Sequence, residues 1–163
     1  MNKLLNSVLV LGLFTATSVN AELPTKKVLT LGVAKKLVAA AESEAKKRAA
    51  TVVIAVVDDG GQLILLERLD DTQVASVEVA IGKARTAAIF RRPSKVFEDQ
   101  VKDGRVAALA LPGATPLQGG VPITVDGKVI GAIGASGNSP QEDEEIALAG
   151  AGVTATAVQE EGR

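Results

Sequence analysis

Residues 51–61 read Thr-Val-Val-Ile-Ala-Val-Val-Asp-Asp-Gly-Gly, an unbroken and largely β-branched apolar run that ends in a strong hairpin turn. The run predicts a strand over 51–57, and the turn returns the chain as a second strand over 62–69. A second hairpin is predicted farther along, with strands over 121–125 and 128–135 around Asp126-Gly127. Short hairpin turns require antiparallel strands, so the sheet is predicted to be antiparallel.

Helical spacing and capping residues surround these strands. Thr30 is a plausible N-cap for a helix over 30–49, and Asp71 or Thr72 can cap a second helix that ends near Phe90. Ser139-Pro-Gln-Glu142 forms a capping box before a last helix that runs to about Val158. A short helix from Ser94 to Val101 and a further strand over 106–111 complete the order α-β-β-α-α-β-β-β-α. The predicted fold is therefore α/β of the α+β type, with five strands.

The strands and the last helix present much apolar surface. The strands are continuous apolar runs rather than alternating ones, which is typical of sheets covered on both faces. The last helix is rich in Ala and Gly and has little polar surface after its first turn. Because large exposed apolar patches are rare on monomers, we expect a homo-oligomer whose interface uses the last helix or an outer sheet face.

The N-terminus has the pattern of an export signal. Lys3 precedes an apolar stretch from Leu4 to Leu13, and Val19 and Ala21 occupy the −3 and −1 places of a cleavage site. Residues 1–21 are predicted to be a signal peptide, and 22–163 a single domain located in the periplasm or secreted. No segment of the mature chain is apolar and long enough to predict a membrane span.

The residues that are absent restrict the chemistry. The sequence has no His, Cys, Tyr or Trp, and its single Met is Met1. These absences exclude a zinc site of the His/Cys kind, His-dependent nucleophilic triads and the usual axial ligands of haem iron. No metal site is predicted, and acid–base chemistry would fall to Asp, Glu or Lys. A net charge of −1, from 18 basic and 19 acidic residues, also argues against nucleic-acid binding.

Several motifs have both a functional and a structural interpretation. Lys83 and Thr86 share a helix face near the Gly/Pro loop 112–120, where they either contact a ligand or form a solvated face. The acidic residues 142–145 either form a functional patch or favour the helix macrodipole in its first turn. Asp58-Asp59 is more typical of a turn than of a metal site. The glycines at 131, 134 and 137 indicate close packing against a helix rather than a phosphate loop.

Three stretches carry a resemblance to a known family. They are Ala75-Ser-Val-Glu-Val-Ala-Ile-Gly-Lys-Ala-Arg-Thr86, Leu117-Gln-Gly-Gly-Val-Pro-Ile123, and Val129-Ile-Gly-Ala-Ile-Gly-Ala-Ser-Gly137 with Pro140-Gln-Glu-Asp-Glu-Glu-Ile-Ala147. Together they resemble the GlcG/HbpS-like haem-binding family, which is related to the C-terminal domain of PduO-type corrinoid proteins. The resemblance covers about residues 26–158.

This resemblance implies a profilin-like architecture, with a central antiparallel sheet flanked by helices and assembled into dimers or larger oligomers. It also implies ligand binding, with haem or a corrinoid as possible ligands. The ligand-binding residues that it implies form a pocket rim on the second helix and the loop: Lys83, Thr86, Phe90, Pro116, Gly119 and Gly120. It identifies no catalytic residue, and without His any haem would be held by its propionates and apolar surface.

Three classes of function remain open on the sequence. The first is an exported protein that binds a small anionic or tetrapyrrole-like ligand. The second is an enzyme or accessory protein for a small organic acid or a corrinoid cofactor, using Lys83 or a carboxylate of the 142–145 group. The third is an interaction module without a ligand pocket. A carboxylate or Lys83 buried in a cleft with a shifted pKa would favour the second class.

Overall fold

The computed structural model describes residues 25–161 and places one antiparallel sheet between layers of helix. The predicted signal peptide, residues 1–21, lies outside these residues. The sheet has four strands in the order β2-β1-β4-β3, and every neighbouring pair is antiparallel. The strands are β1 Val53–Asp58, β2 Leu63–Arg68, β3 Gly120–Val125 and β4 Lys128–Ser136. This architecture confirms the predicted fold class.

Within the described residues, five α-helices accompany the sheet. They are α1 Leu31–Lys47, α2 Ser76–Ile89, α3 Lys95–Lys102, α4 Pro140–Gly152 and α5 Thr154–Glu161. Thr30 caps α1, and its hydroxyl accepts a hydrogen bond from the backbone N–H of Val33, as predicted. The prediction that Asp71 or Thr72 caps α2 is wrong: α2 begins at Ser76, and the Thr72 hydroxyl donates back to the carbonyl of Leu69.

The two faces of β1 are both buried, as its unbroken apolar run indicates. Val52, Ile54 and Val56 belong to the core formed with α1 and α4, while Val53, Ala55 and Val57 face α2. Alternate residues of a strand point to opposite faces, so a strand covered by helix on both sides has no position for a polar residue. β1, one of the two inner strands of the sheet, is thus shielded within its own chain.

The prediction of a fifth strand over 106–111 is wrong, because this segment forms a 3₁₀ helix over Val106–Ala110. Backbone N–H groups of Ala108 and Leu111 bond to carbonyls three residues earlier. Val106 and Leu109 remain more than 60% exposed, so the apolar side chains gain no core contact that could hold the segment in a sheet. Three alanines in five residues also give it little preference for strand.

The last helix is divided where one continuous helix was predicted. α4 ends at Gly152 and α5 begins at Thr154, whose hydroxyl donates to the carbonyl of Ala151. Gly150 and Gly152 lower the helix propensity just before the break. Gly150 lies against α1, where a Cβ would meet the Leu37 carbonyl oxygen at 2.9 Å. Close packing on α1 therefore explains why a glycine occupies this position although it lowers the helix propensity.

Candidate functional site

A buried ion pair joins α2 to the first turn of α4. The Lys83 ammonium donates to Asp143 Oδ2 at 2.7 Å, and the two side chains are only 5% and 3% exposed. Lys83 Nζ also donates to the carbonyl of Ala135 on β4 at 3.1 Å. Charged groups are rarely buried unless paired. This pair connects two helices to the end of a central strand.

The start of α4 fixes the position of Asp143. The predicted capping box is confirmed: Ser139 accepts from the backbone N–H of Glu142, and the Glu142 carboxylate accepts from that of Ser139. Asp143 follows in the first turn, and its Oδ1 accepts a hydrogen bond from the backbone N–H of Asn138 at 3.1 Å. Both oxygens of Asp143 are therefore held.

The surroundings shift the pKa values of two carboxyl groups, those of the buried Asp143 and the half-buried Glu98, in opposite directions. Burial raises the pKa of Asp143 above its usual value, and this effect outweighs the opposing hydrogen bond from Lys83. Burial also disfavours ionised Glu98, but hydrogen bonds from Lys102 and the Gln118 backbone N–H prevail and lower the pKa of its carboxyl. The ionised form is thus favoured at Glu98 and disfavoured by burial at Asp143.

The ion pair forms part of the wall of a cleft of about 250 Å³ between α2, the loop 112–119 and the start of α4, named here the narrow cleft. Its polar lining includes Ser76, Gln118, Ser136 and Asn138. Its apolar lining is Ala75, Val79, Leu117 and Pro140. The narrow cleft therefore combines a small aliphatic wall with several hydrogen-bonding groups.

The Gly/Pro loop packs tightly on α2. Thr86 accepts from the backbone N–H of Thr115 at 2.6 Å and donates to the carbonyl of Gly82 at 2.8 Å. A Cβ on Gly82 would meet the Thr115 hydroxyl at 2.3 Å, and one on Gly120 would meet the Lys83 carbonyl oxygen at 2.1 Å. The glycines permit this close approach, which holds the loop against the helix.

The structure brings together only part of the predicted rim. Lys83 lines the narrow cleft, and Gly119 lies directly behind it, where a Cβ would be 3.0 Å from Nζ. Thr86 and Gly120 are buried in the packing between loop and helix. Phe90 is half-buried and packs on Phe97, with ring centroids 4.9 Å apart. Pro116 is half-buried on the loop, and the ligand-contact role of all six residues stays a prediction.

Sequence reasoning missed two residues that line the narrow cleft. Asp143 was grouped with the surface acids 142–145, yet it is 2% exposed. Ser76 was not considered, although it is 1% exposed and its hydroxyl has no hydrogen-bond partner among the described residues. One clue was present: Lys83 follows Ala80 by three residues on the α2 face that packs against the sheet, and a buried lysine needs an acidic partner.

A second and larger cleft, of about 630 Å³, lies at the hairpin between β3 and β4 and is named here the wide cleft. Its aliphatic wall is formed by Val125, Val129 and Ile130. Its charged residues are Lys26, Lys27, Asp59, Arg91, Asp126 and Lys128.

The wide cleft has two cations in excess. Lys26 pairs with Asp59 at 2.6 Å, and Lys27 pairs with Asp126 at 2.5 Å. Within residues 25–161, Arg91 and Lys128 form no ion pair. The wide cleft therefore combines an apolar wall with two positive charges that are free to meet an anion.

Metal ligation has no candidate in the described part of the chain, where no group of three His, Cys, Asp or Glu side chains is close enough to hold an ion. Asp58 serves the β1–β2 hairpin instead: its Oδ1 accepts from the backbone N–H groups of Gly60 and Gln62 at 2.9 and 2.8 Å. This is the turn role that the sequence indicates. In the same residues, no helix has the length and apolar character needed to cross a membrane.

An antiparallel sheet with helices on both faces and a buried Lys–Asp pair beside a cleft defines a small mixed α/β domain. Residues 29–152 match the family described as haem degrading protein HbpS-like. The chain belongs to this HbpS-like family.

Relatives of known sequence or structure agree with this assignment. The protein GlcG of Escherichia coli K12 is 44% identical over 112 residues, which cover 69% of this chain and 84% of that protein. A double mutant of Streptomyces reticuli HbpS has a TM-score of 0.74 at 33% identity, covering 85% of this chain and 97% of that one. The PduOC:heme complex has a TM-score of 0.70 at 27% identity, covering 77% of this chain and 94% of that one.

Proposed function

We propose that this protein binds haem or another anionic tetrapyrrole in the wide cleft, without a strong protein ligand to the iron. The observation that carries the proposal is the combination of an aliphatic wall with two free cations, Arg91 and Lys128. The porphyrin ring is apolar, and its two propionates are anionic. The volume of about 630 Å³ lies in the usual range of ligand sites. Membership of the HbpS-like family and the similarity to PduOC, solved with haem, support the same ligand class.

The donor set of the chain fits peripheral contact and does not fit strong axial ligation. His, Cys and Tyr are absent from the sequence, and its only Met is Met1. Those four residues supply the usual protein ligands to haem iron. Binding therefore rests on Arg91, Lys128 and the aliphatic wall.

Titration of the purified protein with haem is expected to give saturable but weak binding and a high-spin absorption spectrum, because only hydroxyl, amine, carboxylate or water can reach the iron. The Arg91→Ala/Lys128→Ala double variant is expected to bind roughly 5- to 30-fold more weakly, since two exposed ion pairs contribute about 0.5–1 kcal/mol each. Absorption titrations measure both quantities.

A double variant that removes equal charge outside the wide cleft, Lys35→Ala/Arg105→Ala, is the control and should bind haem as the unaltered protein does. A tight complex with a six-coordinate low-spin spectrum would contradict the proposal. Equal loss of affinity in both double variants would show that overall charge, rather than this cleft, governs binding.

We also propose export to the periplasm or the extracellular medium and self-association as a homo-oligomer. Export is supported by the pattern of residues 1–21.

Self-association concerns the apolar surface of α4 and of the edge strand. In α4, Ile146 and Ala147 are buried within their own chain, so the apolar surface that α4 leaves exposed is smaller than the sequence predicts. Leu148 on α4 is 51% exposed and Leu63 on the edge strand β2 is 48% exposed. Light scattering on the mature protein at micromolar concentration should give at least a dimer mass, and a clean monomer mass would contradict this assembly.

A second candidate function, an enzyme or accessory protein for a small organic acid, is favoured by one specific observation. Asp143 is buried beside the narrow cleft, is paired with Lys83 and has a raised pKa. A carboxyl group with a raised pKa that lines a cleft is suited to accept and return a proton. This candidate requires the narrow cleft to bind its substrate, which is a question separate from haem binding.

A further inference from the structure

The Ser76 hydroxyl is the one buried side-chain oxygen or nitrogen that lacks a hydrogen-bond partner in the described residues. Ser76 lines the narrow cleft and is 1% exposed. Buried hydroxyls almost always have a partner, and each exception calls for an explanation such as a ligand. The hydroxyl can donate one hydrogen bond and accept others.

Lys83 supplies a second donor at the same cleft. An ammonium group has three N–H bonds, and two of them are directed to Asp143 Oδ2 and the carbonyl of Ala135. The described residues provide no acceptor for the third. Ser76 and Lys83 lie on α2 seven residues apart, which is two helical turns and therefore the same face.

The N-terminus of α2 adds a preference for negative charge. α2 has 14 residues, and its N-cap residue Ala75, which lines the narrow cleft, makes no side-chain capping bond. The backbone N–H groups of Ser76 and Val77 already donate to the carbonyls of Gln73 and Val74, so α2 contributes the positive end of its macrodipole rather than free N–H groups. The anions in the wall do not cancel this preference, because Glu98 is held by Lys102 and Asp143 by Lys83.

We propose that the narrow cleft is a subsite for the carboxylate of a small organic acid, whose oxygens accept hydrogen bonds from the Ser76 hydroxyl and the Lys83 ammonium. The volume of about 250 Å³ equals that of roughly eight water molecules at about 30 Å³ each, which suits an acid of two to five carbons. Val79, Leu117 and Pro140 contact its carbon chain. This inference rests on the second candidate function and deepens it, because it names the carboxylate as the group that is bound and Ser76 and Lys83 as its anchor.

Calorimetric titration with lactate tests the subsite, with lactamide as the neutral probe of the same shape. Saturable lactate binding in the millimolar range or tighter is expected, with lactamide at least tenfold weaker. No saturation up to roughly 10 mM lactate, or equal binding of lactamide, would overturn the proposal. Inorganic phosphate that competes as well as lactate would assign the subsite to anions in general and overturn the carboxylate assignment.

The Ser76→Ala variant separates a ligand role from a structural one. It is expected to weaken lactate binding by about five- to tenfold while the melting temperature of the free protein stays the same or rises, because a hydroxyl without a partner is removed. Ser43→Ala, an exposed serine on α1, is the control and should change neither quantity. Unchanged lactate affinity in Ser76→Ala, or a melting temperature several degrees lower, would overturn the role of the hydroxyl.

The binding measurements are independent of any reaction. Lactate binding that depends on Ser76 but leads to no chemical change in the acid would remove the enzyme from the second candidate function and leave the subsite. Turnover of a small acid that is unaffected by Ser76→Ala would keep the second candidate function and remove the subsite. The two failures are therefore distinguishable.

Discussion

Replacement of Asp143 by Asn is expected to lower the free energy of unfolding by about 3–5 kcal/mol, the usual cost of removing one partner from a buried ion pair. The substitution leaves the Lys83 ammonium buried without a counter-charge. It also places an amide N–H₂ group opposite either Lys83 Nζ or the backbone N–H of Asn138, and both of these are donors. Denaturant unfolding at pH 7, followed by circular dichroism, measures the change.

Two variants separate electrostatics from packing. Glu145→Gln removes an exposed carboxylate from the same helix, where it pairs with Arg48, and little change is expected. The double variant Lys83→Met/Asp143→Leu removes both charges and is expected to be more stable than Asp143→Asn alone, because apolar replacement of a buried pair is often neutral. A double variant less stable than the single one would show that packing, rather than charge, dominates at this position.

The pH dependence of Lys83→Met follows from the raised pKa of Asp143. Lys83 opposes the effect of burial, so its removal raises that pKa further. A carboxyl whose pKa is higher in the folded state than in the unfolded state takes up a proton on folding. The loss of stability in Lys83→Met should therefore shrink as the pH falls from 7 to the folded-state pKa of Asp143 in the unaltered protein, by up to about 1.4 kcal/mol per pH unit, and stay constant below that pKa. A loss that grows on acidification would contradict the assigned direction.

Much of the fold was predictable because its local preferences agree with its tertiary contacts. The β-branched run at 51–57 and the Asp-Gly turns specify hairpins without reference to the rest of the chain. Thr30 and Ser139 provide capping oxygens that act within one turn, and both are confirmed. Elements whose determinants lie within a few residues of each other can be recognised from sequence alone.

The wrong predictions concern segments whose structure is decided by distant contacts. Residues 106–110 are apolar enough for a strand, but no sheet edge accepts them, and they remain at the surface against α3. Gly150, which lowers helix propensity near the end of α4, is required by packing on α1 rather than by local preference. A periodic pattern in the sequence does not show which other helix or strand is present to pack against that segment.

The candidate site was predictable only in part, because it too is formed by contacts between distant residues. Lys83 could be selected because it shares a helix face with Thr86 beside the Gly/Pro loop, but its partner Asp143 is 60 residues away. In the sequence Asp143 resembles the surface acids beside it, and only the folded structure shows that its side chain is buried. The unpartnered hydroxyl of Ser76 is a property of the packed structure, and no spacing in the sequence indicates it.

Replacement of Gly134 by Ala is expected to destabilise the protein by about 3 kcal/mol or more, because β4 and α2 meet at this residue without room for a side chain. A Cβ would lie 2.4 Å from the carbonyl oxygen of Ala80 and 2.7 Å from the backbone nitrogen of Ala84. Both are backbone atoms of α2, so no side-chain rotation relieves the clash and the helix itself must move. This close approach confirms the interpretation of Gly134 as a packing residue.

Gly152→Ala is the matched control, since a Cβ there meets nothing within 4 Å and the residue ends α4. It should leave stability unchanged or raise it by up to about 1 kcal/mol, the gain of Ala over Gly in a helix. Because α2 carries both Ser76 and Lys83, its displacement in Gly134→Ala should also weaken lactate binding in whatever fraction still folds. A Gly134→Ala protein as stable as the unaltered one would show that α2 can shift away from the sheet at little cost, and the narrow cleft would then lack the rigid wall that the carboxylate subsite requires.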